Sequence, residues 1–197
     1  MGDFSQNGIV ANLHDFSIRS TEQIEKDLLK FSKERKLELI LPCLYSELEG
    51  DALPNIVNEI SKTKYLNHVI IGLDQANKAQ AKKAWKFFKK LKTPFSILWN
   101  DGPKLKKLDK ELKGIDLAPK QMGKGRNVWY CIGMAIARDE ARSVALHDCD
   151  IKTYDRRLLA KLFYPVENPL FNYEFCKGYY PRIADNKMHG RVARLLV

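Results

Sequence analysis

Long apolar runs are missing from this chain. No stretch approaches the roughly 20 apolar residues that a membrane-spanning helix needs, so no membrane span is expected. Paired cysteine motifs are missing too. Cys43, Cys131, Cys149 and Cys176 are widely spaced with no Cys-x-x-Cys, which suggests neither a disulfide framework nor a zinc site and points to a reducing, cytoplasmic setting. The first twenty residues mix Asp3, Asn7, His14, Asp15 and Arg19 with apolar residues, so no secretory signal is expected. Negative charge is in short supply: 34 Lys and Arg face 24 Asp and Glu, a formal net charge of +10.

What is present fits a globular protein. The 197 residues, 45% hydrophobic, can bury a substantial core. The basic surplus is concentrated between residues 78 and 113, where twelve lysines face only Asp101, Asp109 and Glu111. Such a segment can attract nucleic acid, an acidic membrane surface or a small polyanionic substrate. However, Ala81, Ala84, Trp85, Phe88 and Leu91 recur at helical spacing, which leaves the lysines on the opposite, solvated face. Nucleic acid is therefore not the expected partner, and a basic nucleic-acid-binding module is the competing reading of another class.

Strand and helix patterns alternate along the chain. Residues 36–42, 67–74, 94–99 and 143–147 read as core strands. Residues 21–34, 51–60, 80–91 and 126–138 read as helices, the second with Pro54 in its first turn. Residues 100–125 are rich in breakers, with a short helix expected over 104–112. Beyond Asp150 a helix is expected over 155–163, an antiparallel strand pair within 169–183, and a basic loop or helix start over 187–194. The alternation predicts an α/β fold, a mostly parallel sheet with helices on both faces, whose ligands bind at the carboxyl ends of the strands.

The most pointed feature is the apolar run 143–147 that stops at Asp148-Cys149-Asp150. Two carboxylates at the end of a buried strand suit a hard divalent cation held against a diphosphate. The same residues also serve a plain turn that caps a following helix. His147 alternates away from Asp148 and reads as packing rather than as a ligand. Gly123-Lys124-Gly125, one helix earlier, lets backbone amides approach a diphosphate while an ammonium offsets its charge.

These segments together resemble the GT-A type glycosyltransferases, and within them the retaining glucosyl-3-phosphoglycerate synthase family. The likeness runs from residue 37 to 197 and covers the first half of a full-length member. Residues 40–47, Ile-Leu-Pro-Cys-Leu-Tyr-Ser-Glu, look like the first-strand motif, though Tyr45-Ser46 replaces a more usual asparagine-bearing sequence. Gly72-Leu73-Asp74-Gln75 looks like the second-strand end, and residues 189–194 look like the acceptor loop, with Ala193 where threonine is usual.

The resemblance implies transfer of glucose from a UDP-glucose donor to 3-phosphoglycerate, with Mg²⁺ or Mn²⁺ as cofactor. Pro42, Leu44, Glu47, Asp74, Gly123, Lys124 and Asp148 would bind the donor, and Asp150 the metal. Lys177, Tyr180, Gly190, Arg191 and Val192 would bind the acceptor, with Asp148, Asp150 and Arg191 central to catalysis. The family's remaining metal ligand, a histidine much farther along, has no counterpart in these 197 residues. Related donors or acceptors, of the mannosyl-3-phosphoglycerate or polyprenyl-phosphate kind, are the alternative within enzymes, and a homodimer is compatible with the reading. Residues 1–35 are expected as a helical extension, 36–150 as the nucleotide-sugar-binding domain, and 151–197 as the start of an acceptor region. The apolar end Leu195-Leu196-Val197 suggests truncation.

Overall fold

Strands β2 (Leu37–Leu44) and β3 (His68–Asp74) are buried almost without interruption, the pattern of strands covered on both faces. They form the centre of a four-stranded parallel sheet in a computed structural model that describes residues 19–171 and 173–178, with backbone alone at 10–11, 182–184 and 187–189. The sheet order is β4-β3-β2-β5, with β4 at Phe95–Trp99 and β5 at Ser143–Leu146. All four strands run parallel. Their carboxyl ends therefore share one edge.

Alternation along the central strands divides the packing between the two faces. On one face Leu39, Leu41, Val69 and Ile71 join the larger core with α1 (Thr21–Phe31), α2 (Ala52–Ser61), α3 (Lys78–Phe88) and α6 (Arg156–Glu167). Each fully buried leucine or isoleucine there contributes about 2 kcal/mol of transfer free energy. On the other face Ile40 and Ile70 meet Cys131 and Ala135 of α5 (Lys124–Arg138). The expected α/β sheet with helices on both faces is what forms. The helix at 21–34 does not stand apart from it, since Ile24 and Leu28 share the main core with Leu159 and Phe163.

Helix starts follow the sequence signals. At α1 the Gln23 N–H donates to Ser20 Oγ (3.2 Å) while the Ser20 N–H donates to Gln23 Oε1 (3.0 Å). Asn77 and Gln80 make the same reciprocal pair at α3. The solvated-face reading of the lysines holds on α3, where Ala84 and Phe88 are buried and Lys82, Lys83 and Lys86 are exposed. Trp85 is nearly half exposed, its ring 5.0 Å from that of Phe95.

The helix expected at 104–112 forms as α4 (Pro103–Gly114), with Pro103 pre-set for its first turn. Two other expectations need correction. The strand at 143–147 is not buried but lies at the sheet's edge, with Val144 and Leu146 exposed. A short apolar run does not say whether a second strand lies beyond it. The antiparallel pair is β7 (Arg182–Ala184) with β8 (Lys187–His189), whereas β6 (Phe175–Cys176) pairs in parallel with β1 (Val10–Ala11). Alternation over so few residues specifies extended backbone without specifying its partner.

Candidate functional site

Register across the sheet lines up the expected donor-site residues of β2 and β3. Pro42 lies opposite Gly72 and Leu44 opposite Asp74. Asp74 is buried, and its Oδ1 accepts the N–H of Gln75 at 3.0 Å. Immediately after Leu44 the chain turns into a short 3-10 segment, Tyr45–Glu49. Its start is held by Glu47, whose Oε2 accepts the Leu44 N–H at 2.8 Å. Burial raises the Glu47 carboxyl above its ordinary value, and Asp150 adds to the shift while Lys124 opposes it.

The second half of the site comes from the start of α5. Gly123 adopts φ +117°, a conformation that L side chains rarely take, and its carbonyl accepts the Asn127 N–H. No side chain caps this helix, so the first-turn amides remain available to an anion. Asn127 sets where that terminus lies. Its Nδ2 donates to the Gly72 carbonyl at 2.7 Å, inside the seam between α5 and β3. A Cβ on residue 72 would sit 1.9 Å from Asn127 Oδ1, so glycine is required for the close approach.

Farther along α5 the Arg126 guanidinium and the Tyr130 hydroxyl both donate to Asp109 Oδ1, at 3.0 and 2.5 Å. Lys113 pairs with Asp109 Oδ2 at 2.7 Å. The hydrogen bonds from Lys113, Tyr130 and Arg126 hold the Asp109 carboxyl far below the usual carboxylate range. α4 is thereby fastened to α5.

The segment after β5 completes the edge. Lys124 Nζ lies 2.5 Å from Asp148 Oδ1, which joins the glycine-lysine turn to the carboxylate pair. Asp150 is exposed and makes no ion pair among the described residues. His147 is buried, with Nδ1 2.9 Å from the Tyr154 hydroxyl, and burial lowers its pKa to about 4. It is a neutral packing group at neutral pH.

The structure thus gathers Leu44, Glu47, Lys124, Asp148 and Asp150 at one sheet edge, with Gly123 beside Lys124 and Asp74 beside Leu44. Lys177 is exposed just beyond β6, without a described contact to this group. Tyr180, Gly190, Arg191 and Val192 lie outside the described residues. The sequence reading missed Asn127 and the nearness of Cys43 to Cys149. The Asn127 signal was a polar residue on the buried face of α5, one turn from Cys131. The cysteines approach only because β2 and β5 are neighbours, which their spacing does not reveal.

No protein-family model matches the chain. The chain is 42% identical over 195 residues to a curated glucosyl-3-phosphoglycerate synthase of Persephonella marina, covering 99% of this chain and 48% of that protein. It is 40% identical over 199 residues to the synthase of the same name in Methanococcoides burtonii, with the same coverage. Among solved structures it is similar to a Mycobacterium tuberculosis glucosyl-3-phosphoglycerate synthase in complex with Mn²⁺, UDP and glucosyl-3-phosphoglycerate. That likeness has a TM-score of 0.46 and 15% identity, covering 84% of this chain and 48% of the other. Over nearly its whole length the chain is similar to curated glucosyl-3-phosphoglycerate synthases, and it spans about half the length of the curated relatives it matches.

Proposed function

We propose that this chain carries the nucleotide-sugar half of a retaining, metal-dependent GT-A type glucosyl-3-phosphoglycerate synthase, which moves glucose from UDP-glucose to 3-phosphoglycerate. The observation that carries the reading is the Lys124–Asp148 pair, which sets an ammonium, a helix terminus and a carboxylate around one point, two residues from the exposed carboxylate of Asp150. The 42% identity to a protein of that name supports it.

In this reading Leu44, Glu47 and Asp74 line the nucleoside end of the donor, and Lys124 with the α5 amides faces the diphosphate. Lys124 exchanges its partner Asp148 for phosphate oxygens and offsets the negative charge that grows on the leaving group. Asp150 is the residue that would hold Mg²⁺ or Mn²⁺, since an exposed carboxylate without an ion-pair partner among the described residues offers the hard oxygen such ions prefer. The bound ion supplies Lewis-acid support to the departing diphosphate. No carboxylate is assigned as a covalent nucleophile, so the acceptor hydroxyl attacks from the face the diphosphate leaves. Arg191, Gly190 and Val192, with Lys177 and Tyr180, grip the acceptor carboxylate and phosphate.

No described helix is long and apolar enough to cross a membrane. A cytoplasmic setting belongs to the proposal and is supported by four free cysteines. Association into a homodimer belongs to it as well, supported by the exposed apolar residues Ile132, Ile136 and Val144. The deciding experiment is calorimetric titration with UDP-glucose and Mn²⁺, followed by 3-phosphoglycerate. Metal-dependent donor binding is expected, and the proposal fails if neither UDP-glucose nor UDP binds with metal present.

A further inference from the structure

We propose a second metal site in this protein, formed by Cys43, Glu47 and Cys149 and suited to a thiophilic divalent cation such as Zn²⁺. It differs in chemistry from the oxygen site at Asp150 and shares Glu47 with the proposed donor site, while its two thiols take no part in the donor reading. Cys43 comes from the end of β2, Glu47 from the 3-10 turn that follows, and Cys149 from the segment after β5, the strand paired with β2. One ligand atom from each lies within 4.8 Å of the other two. Such a triangle has a point no more than about 2.8 Å from every corner, so a small inward shift reaches the ~2.3 Å of a zinc–thiolate bond and the ~2.1 Å of a zinc–carboxylate bond.

Local structure prepares these groups. Glu47 is held in place by the Leu44 N–H, and the Cys43 thiol donates to the Leu44 carbonyl at 3.3 Å. Both cysteines are almost wholly enclosed, whereas Glu47 is partly exposed and leaves an open side for entry and for a water as fourth ligand. The nearest histidine in sequence, His147, turns to Tyr154 and does not complete the set. Two sulfurs with one oxygen favour a borderline-soft ion over Mg²⁺, which prefers oxygen throughout. Binding replaces the two S–H protons, which pass to solvent. Because Cys149 separates Asp148 from Asp150, an ion here fixes the loop that presents both carboxylates.

The test titrates chelator-treated protein with Co²⁺ and follows thiolate-to-cobalt charge-transfer absorption, then displaces cobalt with Zn²⁺. One equivalent is expected, with the intensity of two thiolates. Cys43→Ser and Cys149→Ser should each weaken Zn²⁺ binding by at least roughly 100-fold, the upper range seen for losing even an outer-shell partner. Cys176→Ser and Asp150→Asn should leave it within about threefold, a change of less than 1 kcal/mol. Absence of the charge-transfer band in the wild-type protein overturns the proposal, as does a band that survives both serine variants or zinc affinity that tracks Asp150→Asn. Should a serine variant fail to fold, Glu47→Gln on the exposed turn decides: a weakened site that keeps the two-thiolate spectrum supports the proposal, and unchanged affinity overturns it.

Discussion

Replacing Gly72 by alanine tests whether the α5–β3 seam sets the position of the Gly123-Lys124 turn. The new Cβ would lie 1.9 Å from Asn127 Oδ1 and 2.5 Å from Cys131 Sγ, both inside contact distance. Relief requires Asn127 to move, which breaks its 2.7 Å bond to the Gly72 carbonyl and leaves buried polar atoms unpaired. The lost bond costs about 1–3 kcal/mol and overpacking a further ~1–3 kcal/mol. The reduced freedom of the unfolded chain returns only about 0.5 kcal/mol. Gly72→Ala should therefore destabilise by about 4 kcal/mol.

Asn127→Ala alone should cost about 2 kcal/mol, and it also removes the atom closest to the new methyl. The double variant should be less destabilised than the sum of the two by at least ~1 kcal/mol, since residues in contact couple. Urea denaturation followed by far-ultraviolet circular dichroism measures all four corners, with an unchanged denaturant slope as the control. Additivity within ~0.5 kcal/mol, or a Gly72→Ala cost below ~1 kcal/mol, would refute the close-approach argument.

Three other expectations concern charge. Lys124→Met should weaken UDP binding roughly tenfold by calorimetry while shifting stability by less than about 1 kcal/mol, because an exposed ion pair contributes little to folding; a change in stability without a change in binding contradicts the assigned role. Asp150→Asn should abolish the dependence of UDP binding on Mn²⁺ while leaving metal-free binding intact, so a retained Mn²⁺ response removes Asp150 from the metal site. Asp109 is held below its unfolded value of about 3.9, so the stability it contributes is present above that pH and is lost as pH falls toward the lowered folded value. The wild-type protein should lose stability between pH 4 and 2 more steeply than Asp109→Asn, measured by urea denaturation at each pH, and parallel profiles would contradict the assignment.

Much of this architecture is legible in local pattern. The two central strands announce themselves as continuous apolar runs, and Ser20 and Asn77 mark helix starts through short-range hydrogen bonds. Asp74, Asp148 and the glycine-lysine turn stand at strand or helix ends, where a parallel sheet presents its ligand groups. A carboxylate after a strand is a local fact, written in a few adjacent residues.

Neighbours across the sheet are another matter. β5 has the composition of a core strand yet lies at an edge, because composition records what a residue can tolerate and not what lies beside it. Cys43 and Cys149 stand 106 positions apart and meet only through the β2–β5 pairing. Gly72 reads as an ordinary strand glycine until Asn127 is seen to press against it. The sequence alone determined the elements, their order and the edge at which chemistry gathers, since those follow from hydrophobic period and backbone capping. Only the tertiary structure decided that Lys124 reaches Asp148, that His147 packs on Tyr154 and that two thiols come close to one carboxylate. Such contacts depend on strand order and helix docking, which are products of the whole chain's packing.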